Sequence, residues 1–145
     1  NGGTGIDTAD YSDSGTAVTL NLDGTTSAGG DAEGDVLLSI ETAIGSANND
    51  TIIGSNANET LSGGAGDDTI SGNLGTDIFH TFGDAGIDRV LDFNRAEGDR
   101  VQLDPGTTYS VAQVGADTVI SMGGGGQMTL VGVNMATLTD GWIFI

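Results

Sequence analysis

The sequence predicts an all-β fold, and three observations predict it. Residues 45–80 divide into four consecutive nonapeptides, GSANNDTII, GSNANETLS, GGAGDDTIS and GNLGTDIFH. Glycine supplies 26 of 145 residues and proline one, without the every-third spacing of a collagen chain. No long helix is evident anywhere in the pattern. A nine-residue unit is too short to bury a face alone, but it can supply a turn of about six residues and a strand of about three. Two units then close one coil, and each unit stacks on the second one after it. The expected architecture is a parallel β-roll built from nonapeptide repeats, capped by a C-terminal antiparallel β region.

Within a single domain of 145 residues, 1–44 lead into the roll, 45–104 form the roll and its exit, and 105–145 form the cap. The opening NGGTGIDTADYSDS is rich in Gly and Asp. Its GGTGIDTAD, at 2–10, matches the repeat loosely, with Asp7 at the acid place and Ala9 at the apolar place. It predicts an upstream coil whose partner lies in 30–43 or outside the sequence. In AVTLNL, Val18, Leu20 and Leu22 share one face of a strand. A polar loop follows from Asp23 to Asp35, with Asp31, Glu33 and Asp35 near glycines, and Val36–Ile40 reads as another short strand.

In the four strict units, Gly45, Gly54, Gly63 and Gly72 come first, and the acids Asp50, Glu59, Asp68 and Asp77 come sixth. Thr51, Thr60 and Thr69 suit the start of a strand, and Ile52, Leu61, Ile70 and Phe79 fill the eighth, apolar place. Stacking places Ile52 on Ile70 and Leu61 on Phe79, in two facing columns. The glycines allow positive φ and close approach between coils. After Phe79 the period slips: GDAGID at 83–88 repeats the turn two residues late, followed by LDF at 91–93 and EGDRVQL at 97–103. Pro105-Gly106 marks a boundary. Tyr109–Val114, Thr118–Met122 and Gln127–Val131 read as antiparallel strands, Asn134–Thr139 as a turn or one helical turn, and Trp142–Ile145 as a terminal strand.

The chain carries 21 acids against 3 basic residues, a formal charge of −18, and no Cys. Disulfide scaffolds, thiolate zinc sites and Cys catalysis are excluded. Three arginines, Arg89, Arg95 and Arg100, cannot form a nucleic-acid-binding patch. No apolar run reaches the ~20 residues of a membrane-spanning helix. Such a charge on so small a body repels itself, and polyvalent cations are the leading neutralisers.

Calcium is the cation this pattern suits. It takes six to eight hard oxygens, and a Gly-rich turn offers carbonyls beside its carboxylate. The candidate ligands are therefore the turns of Gly45, Ala47 and Asp50; Gly54, Asn56 and Glu59; Gly63, Ala65 and Asp68; and Gly72, Leu74 and Asp77. Turns on one edge pair Asp50 with Asp68, and Asp68 with Asp84 or Asp88. Turns on the other pair Glu59 with Asp77, and Asp77 with Asp92 or Asp99. Asp7, Asp31 and Asp35 are further candidates in the looser turns. Asn48 and Asn49 either add side-chain oxygens or favour the turn. At least two shared Ca2+ sites are expected, and about three to six with the extra turns.

The nonapeptides resemble GGxGxDxUx, the signature of the RTX (repeats-in-toxin) family, and GGAGDDTIS at 63–71 is the nearest copy. GSNANETLS departs from it at the fourth and sixth places. The flanking GIDTADYSDSG, GGDAEGD and RVLDF…GDRVQL are similar to the segments around the roll in secreted RTX proteins. The resemblance implies a bacterial, secreted or cell-surface protein, exported unfolded by type I secretion machinery and folding in external calcium. Asp140 and the apolar Trp142, Ile143, Phe144 and Ile145 look like the end of an uncleaved C-terminal export signal. Asn1 suggests a fragment of a longer protein, whose activity the resemblance does not choose.

No catalytic residues are expected. His80 is the only His, with no HExxH partner, and reads as solvent-facing or loop-packing. Ser12 and Ser14 have no His–Asp arrangement suited to a triad. Asp67–Asp68 and Asp84/Asp88 fit calcium spacing better than a glycosidase pair. Trp142 is expected to pack as a cap against Phe144 and the hairpin. The expected role is a non-catalytic, monomeric calcium-binding module. The alternatives are a calcium-dependent module binding anionic polysaccharide or a cell surface, and a structural or assembly role.

Overall fold

A computed structural model describes residues 1–145. Thirteen short strands form two facing sheets, and through the roll the chain alternates between them. One sheet runs β1 (Thr8–Asp10), β3 (Thr42–Ile44), β5 (Thr60–Ser62), β7 (Ile78–Thr81), β9 (Arg100–Leu103), β13 (Ile143–Phe144). The other runs β2 (Thr19–Asn21), β4 (Thr51–Ile53), β6 (Thr69–Ser71), β8 (Ile87–Val90), β12 (Gln127–Leu130), β11 (Asp117–Met122), β10 (Tyr109–Val114). This is the parallel β-roll that the repeats predict.

A three-residue strand turns its middle side chain to one face and its flanks to the other. The β3, β4 and β6 strands accordingly bury only their central residue. Register stacks these residues into two columns. In the first sheet the column is Ala9, Ala43, Leu61, Phe79, Val101, Ile143. In the second it is Leu20, Ile52, Ile70, Val90, Leu130. Ile52, Leu61, Ile70 and Phe79 have no exposed surface. Each contributes roughly 1.5–3 kcal/mol by leaving water. GGTGIDTAD does form an upstream coil, with β3 as its partner.

Three sequence expectations change. Val36–Ile40 is not a strand: Val36 makes one isolated bridge to Thr26, and Ser39 has φ 53, which ends an extended run. The strand lies just beyond, at β3. The C-terminal region is also not wholly antiparallel. Only β10–β11 and β11–β12 are; β12 lies parallel on β8 and β13 parallel on β9. Leu130 and Ile143 thereby extend the two inner columns and cover the edges of β8 and β9. Finally, Trp142 packs edge-on against Phe93, with ring centroids 6.4 Å apart, rather than on Phe144. The Phe144 ring instead lies under the Arg100 guanidinium at 4.0 Å.

Candidate metal centres

Alternation between two sheets places the turns along two edges. One edge holds the turns leading into β4, β6 and β8. The other holds those leading into β1, β3, β5, β7 and β9. The last residue of each strict-repeat turn is its acid, held just before the strand by backbone pairing with the next coil: Thr69 N–H donates to Asp50 O at 2.9 Å, and Ile78 N–H to Glu59 O at 2.8 Å.

Each edge carries a ladder of carboxylates. On the first, Asp50 N–H donates to Asp68 Oδ1 at 2.8 Å, and Asp68 N–H to Asp88 Oδ1 at 3.3 Å. On the second, Glu59 N–H donates to Asp77 Oδ1 at 2.9 Å, and Asp77 N–H to Asp99 Oδ1 at 3.0 Å. Further up this edge, Asp7 N–H donates to Glu41 Oε2 at 2.9 Å. One oxygen of each acceptor acid is thus spent on the preceding coil.

The other oxygen distinguishes these acids. Glu59 Oε2, Asp68 Oδ2 and Asp77 Oδ2 are buried and accept no hydrogen bond, as is Asp7 Oδ2. The residues Glu59, Asp68 and Asp77 are 2%, 1% and 0% exposed. The first-place glycines make room for them. A Cβ on Gly63 would collide with Asp68 Oδ2, and one on Gly72 with Asp77 Oδ2. Burial raises the Asp68 carboxyl to about 7, with help from the charges of Asp88 and Asp50. Burial likewise raises Asp77 to about 7, aided by Glu59 and Asp99. Asp88 is raised to about 6, and Glu59 and Asp99 are raised, in each case mainly by burial.

This donor set fits a hard divalent cation. Neighbouring strands lie ~4.8 Å apart, so ionised acids at that repeat repel by on the order of 3 kcal/mol per pair at an effective dielectric near 20. A buried carboxylate oxygen without a donor adds a desolvation cost. Calcium removes both. No three acidic or His side chains converge on one point, so backbone carbonyls and water would complete any coordination shell. The turns bring carbonyls close: a Cβ on Gly45 would collide with Gly63 O, and one on Gly54 with Gly72 O.

The first- and third-place residues Gly45, Ala47, Gly54, Asn56, Gly63, Ala65, Gly72 and Leu74 all lie in these stacked turns. Between the late-register alternatives, Asp88 joins the first ladder and Asp84 stays exposed outside it. Asp99 joins the second ladder, whereas Asp92 caps the turn above: it accepts from Gly72 N–H and Asn73 N–H, both at 2.9 Å, and from Ser71 Oγ. Asp50 is also spent on protein donors, namely Val18 N–H at 2.7 Å, Ser46 Oγ at 3.0 Å and Ser46 N–H. Asp31 and Asp35 are exposed and stand in neither ladder; Asp35 accepts the Tyr11 hydroxyl at 2.7 Å, and burial with this carboxylate raises the phenol to about 12. Asn49 serves the turn, its Oδ1 accepting from Asp67 N–H at 3.0 Å.

Sequence reasoning missed Glu41. It precedes β3 as Glu59 precedes β5, and Thr60 N–H donates to its carbonyl at 2.8 Å. The signal was present: Glu41-Thr42-Ala43 repeats the acid–Thr–apolar triplet of Glu59-Thr60-Leu61 one coil earlier. Without a Gly-rich turn before it, the triplet did not stand out.

The sequence profile of the RTX calcium-binding nonapeptide repeat (4 copies) matches residues 39–58, 44–79 and 53–90. Comparison with curated proteins finds no match. Among solved structures, the extracellular lipase LipA from Serratia marcescens matches with a TM-score of 0.66 at 25% identity, over 98% of this chain and 20% of that one. This chain therefore spans only a small part of the lipase. The AlgE6R3 subunit of the mannuronan C5-epimerase from Azotobacter vinelandii matches with a TM-score of 0.57 at 24% identity, over 98% of this chain and 81% of that one, a likeness of fold. Residues 39–90 thus carry RTX calcium-binding nonapeptide repeats, laid out as a two-edged parallel β-roll, and repeats of this kind bind Ca2+ between the turns of the roll.

Proposed function

We propose that this chain is a non-catalytic module that folds on calcium binding outside the cell and supports the type I secretion and stability of a larger parent protein. One observation carries the reading. Glu59, Asp68 and Asp77 are buried in stacks of like charge, each with an oxygen that no protein group satisfies. Without a cation the folded roll bears that cost, and the unfolded chain does not. Binding to the folded state alone then drives folding by mass action. The expected ligands are the ladder acids Asp68, Asp88, Glu59, Asp77 and Asp99 with turn carbonyls, and Asp7 with Glu41 further up the second edge.

Low calcium inside a cell would leave the chain open for export, and millimolar calcium outside would close it. The C-terminal segment fits this sequence of events. In the folded protein Val101 N–H donates to Trp142 O at 2.7 Å, and β13 is docked on β9. An export signal at Trp142–Ile145 would be free only before the roll forms.

Calcium titration followed by circular dichroism tests the folding claim. A cooperative gain of β signal below ~10 mM calcium is expected, reversed by chelation. A spectrum that is equally β-rich in excess chelator would sink it. Export of the chain with 142–145 deleted tests the secretion claim, and undiminished export would remove it.

A further inference from the structure

The one close contact between a basic side chain and a carboxylate joins His80 Nε2 and Asp104 Oδ1, at 3.0 Å. With 21 acids present, none of the three arginines is paired with one. Arg89 is exposed on β8, and Arg100 is held by the Phe144 ring and by the Gly141 carbonyl at 2.9 Å. Arg95 is placed differently. It lines an open cavity of about 580 Å3 between the 93–96 and 132–139 loops. Its Nε is buried without a hydrogen-bond partner, and its one side-chain hydrogen bond is a long one from Nη2 to Asp140 O at 3.3 Å.

The rest of the lining also favours an acceptor-rich ligand. No carboxylate lines this cavity. Two asparagines do, and each has its acceptor already engaged: Asn94 Oδ1 accepts from Ala96 N–H at 3.1 Å, and Asn134 Oδ1 from Ala136 N–H at 3.0 Å. Their Nδ2 groups have no protein partner and remain as donors. Phe93 and Leu138 supply an apolar wall. The volume falls in the range of small-molecule sites.

We propose that this cavity binds a small hydroxylated carboxylate, a sugar acid or a hydroxy acid. The Arg95 guanidinium takes the carboxylate, for which its planar fork is suited. The amides of Asn94 and Asn134 take the hydroxyls, and the carbon frame lies on Phe93 and Leu138. This rests on the calcium-folded roll, since Asn94 N–H donates to Asp99 Oδ2 at 2.8 Å, and it goes beyond the calcium reading by assigning a second ligand to side chains that reading does not use.

The test is 15N NMR titration of the calcium-loaded protein with sodium glucuronate, sodium lactate and glucose. Saturable shifts of Arg95 Nε–H and of the Asn94 and Asn134 side-chain amides are expected with an acid, with a Kd of roughly 0.1–10 mM, and none with glucose. The tighter of the two acids identifies the ligand as a sugar acid or a hydroxy acid. Arg95→Gln should weaken binding by at least ~10-fold. Asn134→Asp keeps the turn acceptor but replaces the donor with a negative charge, and should weaken it likewise. It decides the matter if Arg95→Gln fails to fold. Calcium-induced circular dichroism of each variant reads folding separately from binding. No saturable shift by ~50 mM of either acid, equal binding by both variants, or shifts confined to the Asp68 and Asp77 turns would overturn the proposal.

Discussion

The two edges of the roll are built from the same repeat, yet they leave different chemistry unfinished. On the first edge, Asp50 and Asp88 meet protein donors at both oxygens, Asp88 through Asp68 N–H and Thr81 Oγ1 at 3.2 Å. Only Asp68 has a buried oxygen without a donor there. On the second edge Glu59 and Asp77 each have one, and Asp7 has another at its far end. The position of an acid in a nonapeptide therefore does not set its role. What sets it is whether a second donor reaches the carboxylate, as Ser46 of its own turn reaches Asp50 and Thr81 of β7 reaches Asp88. The second edge should depend on calcium more strongly than the first.

The largest expected effect comes from Asp77→Asn. Asp77 lies between Glu59 and Asp99, so the change removes an ionic ligand shared by the turns on both sides. The calcium concentration at the folding midpoint should rise by at least ~10-fold. Asp68→Asn, at the middle of the first edge, should raise it by roughly 3–10-fold. Circular dichroism in a calcium series measures both. A larger effect for Asp68→Asn would break the proposed asymmetry.

Protons compete for the same oxygens, and the sign follows from the direction of the shifts. Asp68 and Asp77 rise to about 7 and Asp88 to about 6 in the folded protein, above their ordinary carboxylate values. A raised folded-state value stabilises the fold at low pH, and that stability is lost as pH climbs through about 7. In chelator, lowering pH from ~8 to ~5 should therefore restore part of the β signal. With calcium present, the same change should raise the calcium midpoint. An apo chain that loses structure on mild acidification would contradict the ladder as the source of instability.

Much of this was legible because the period was strict. Four acids, four first-place glycines and four apolar residues, repeating every ninth position, fixed the columns and the pairs Asp50–Asp68 and Glu59–Asp77. Legibility ended where the chain departs from that spacing. The next acids lie 20 and 22 residues on, at Asp88 and Asp99, because the exit turns are longer. Asp84 and Asp92 were equally placed in sequence, and only three-dimensional register separates them from the ladders. Glu41 lacked the glycine turn that draws attention to an acid. The parallel docking of β12 and β13 is a tertiary requirement, set by the open edges of β8 and β9, and no local pattern encodes it. Trp142 follows the same logic: its partner Phe93 is 49 residues away in sequence.

Glu59 offers a smaller test of the second edge. Its longer arm reaches Ser55 Oγ with one oxygen and leaves the other buried and free. Glu59→Gln keeps the size and removes the charge, and should raise the calcium midpoint roughly 3-fold or more. Glu59→Asp restores the repeat consensus and should change it less than ~3-fold. Equal shifts for the two would mean that reach, not charge, governs this turn.

The smallest calcium effect should belong to Asp50, and it separates the two roles an acid plays in one repeat. Asp50 is as buried as Glu59, at 2% exposed for each. Its oxygens already accept from Val18 N–H, Ser46 N–H and Ser46 Oγ. Asp50→Asn should therefore shift the calcium midpoint less than ~2-fold, while lowering thermal stability in saturating calcium by about 1–3 kcal/mol as backbone donors lose an acceptor. Calorimetry alongside the calcium series reads the two quantities independently. A large calcium shift with unchanged stability would show that Asp50 gives up its protein donors for the ion, and that the first edge is as calcium-dependent as the second.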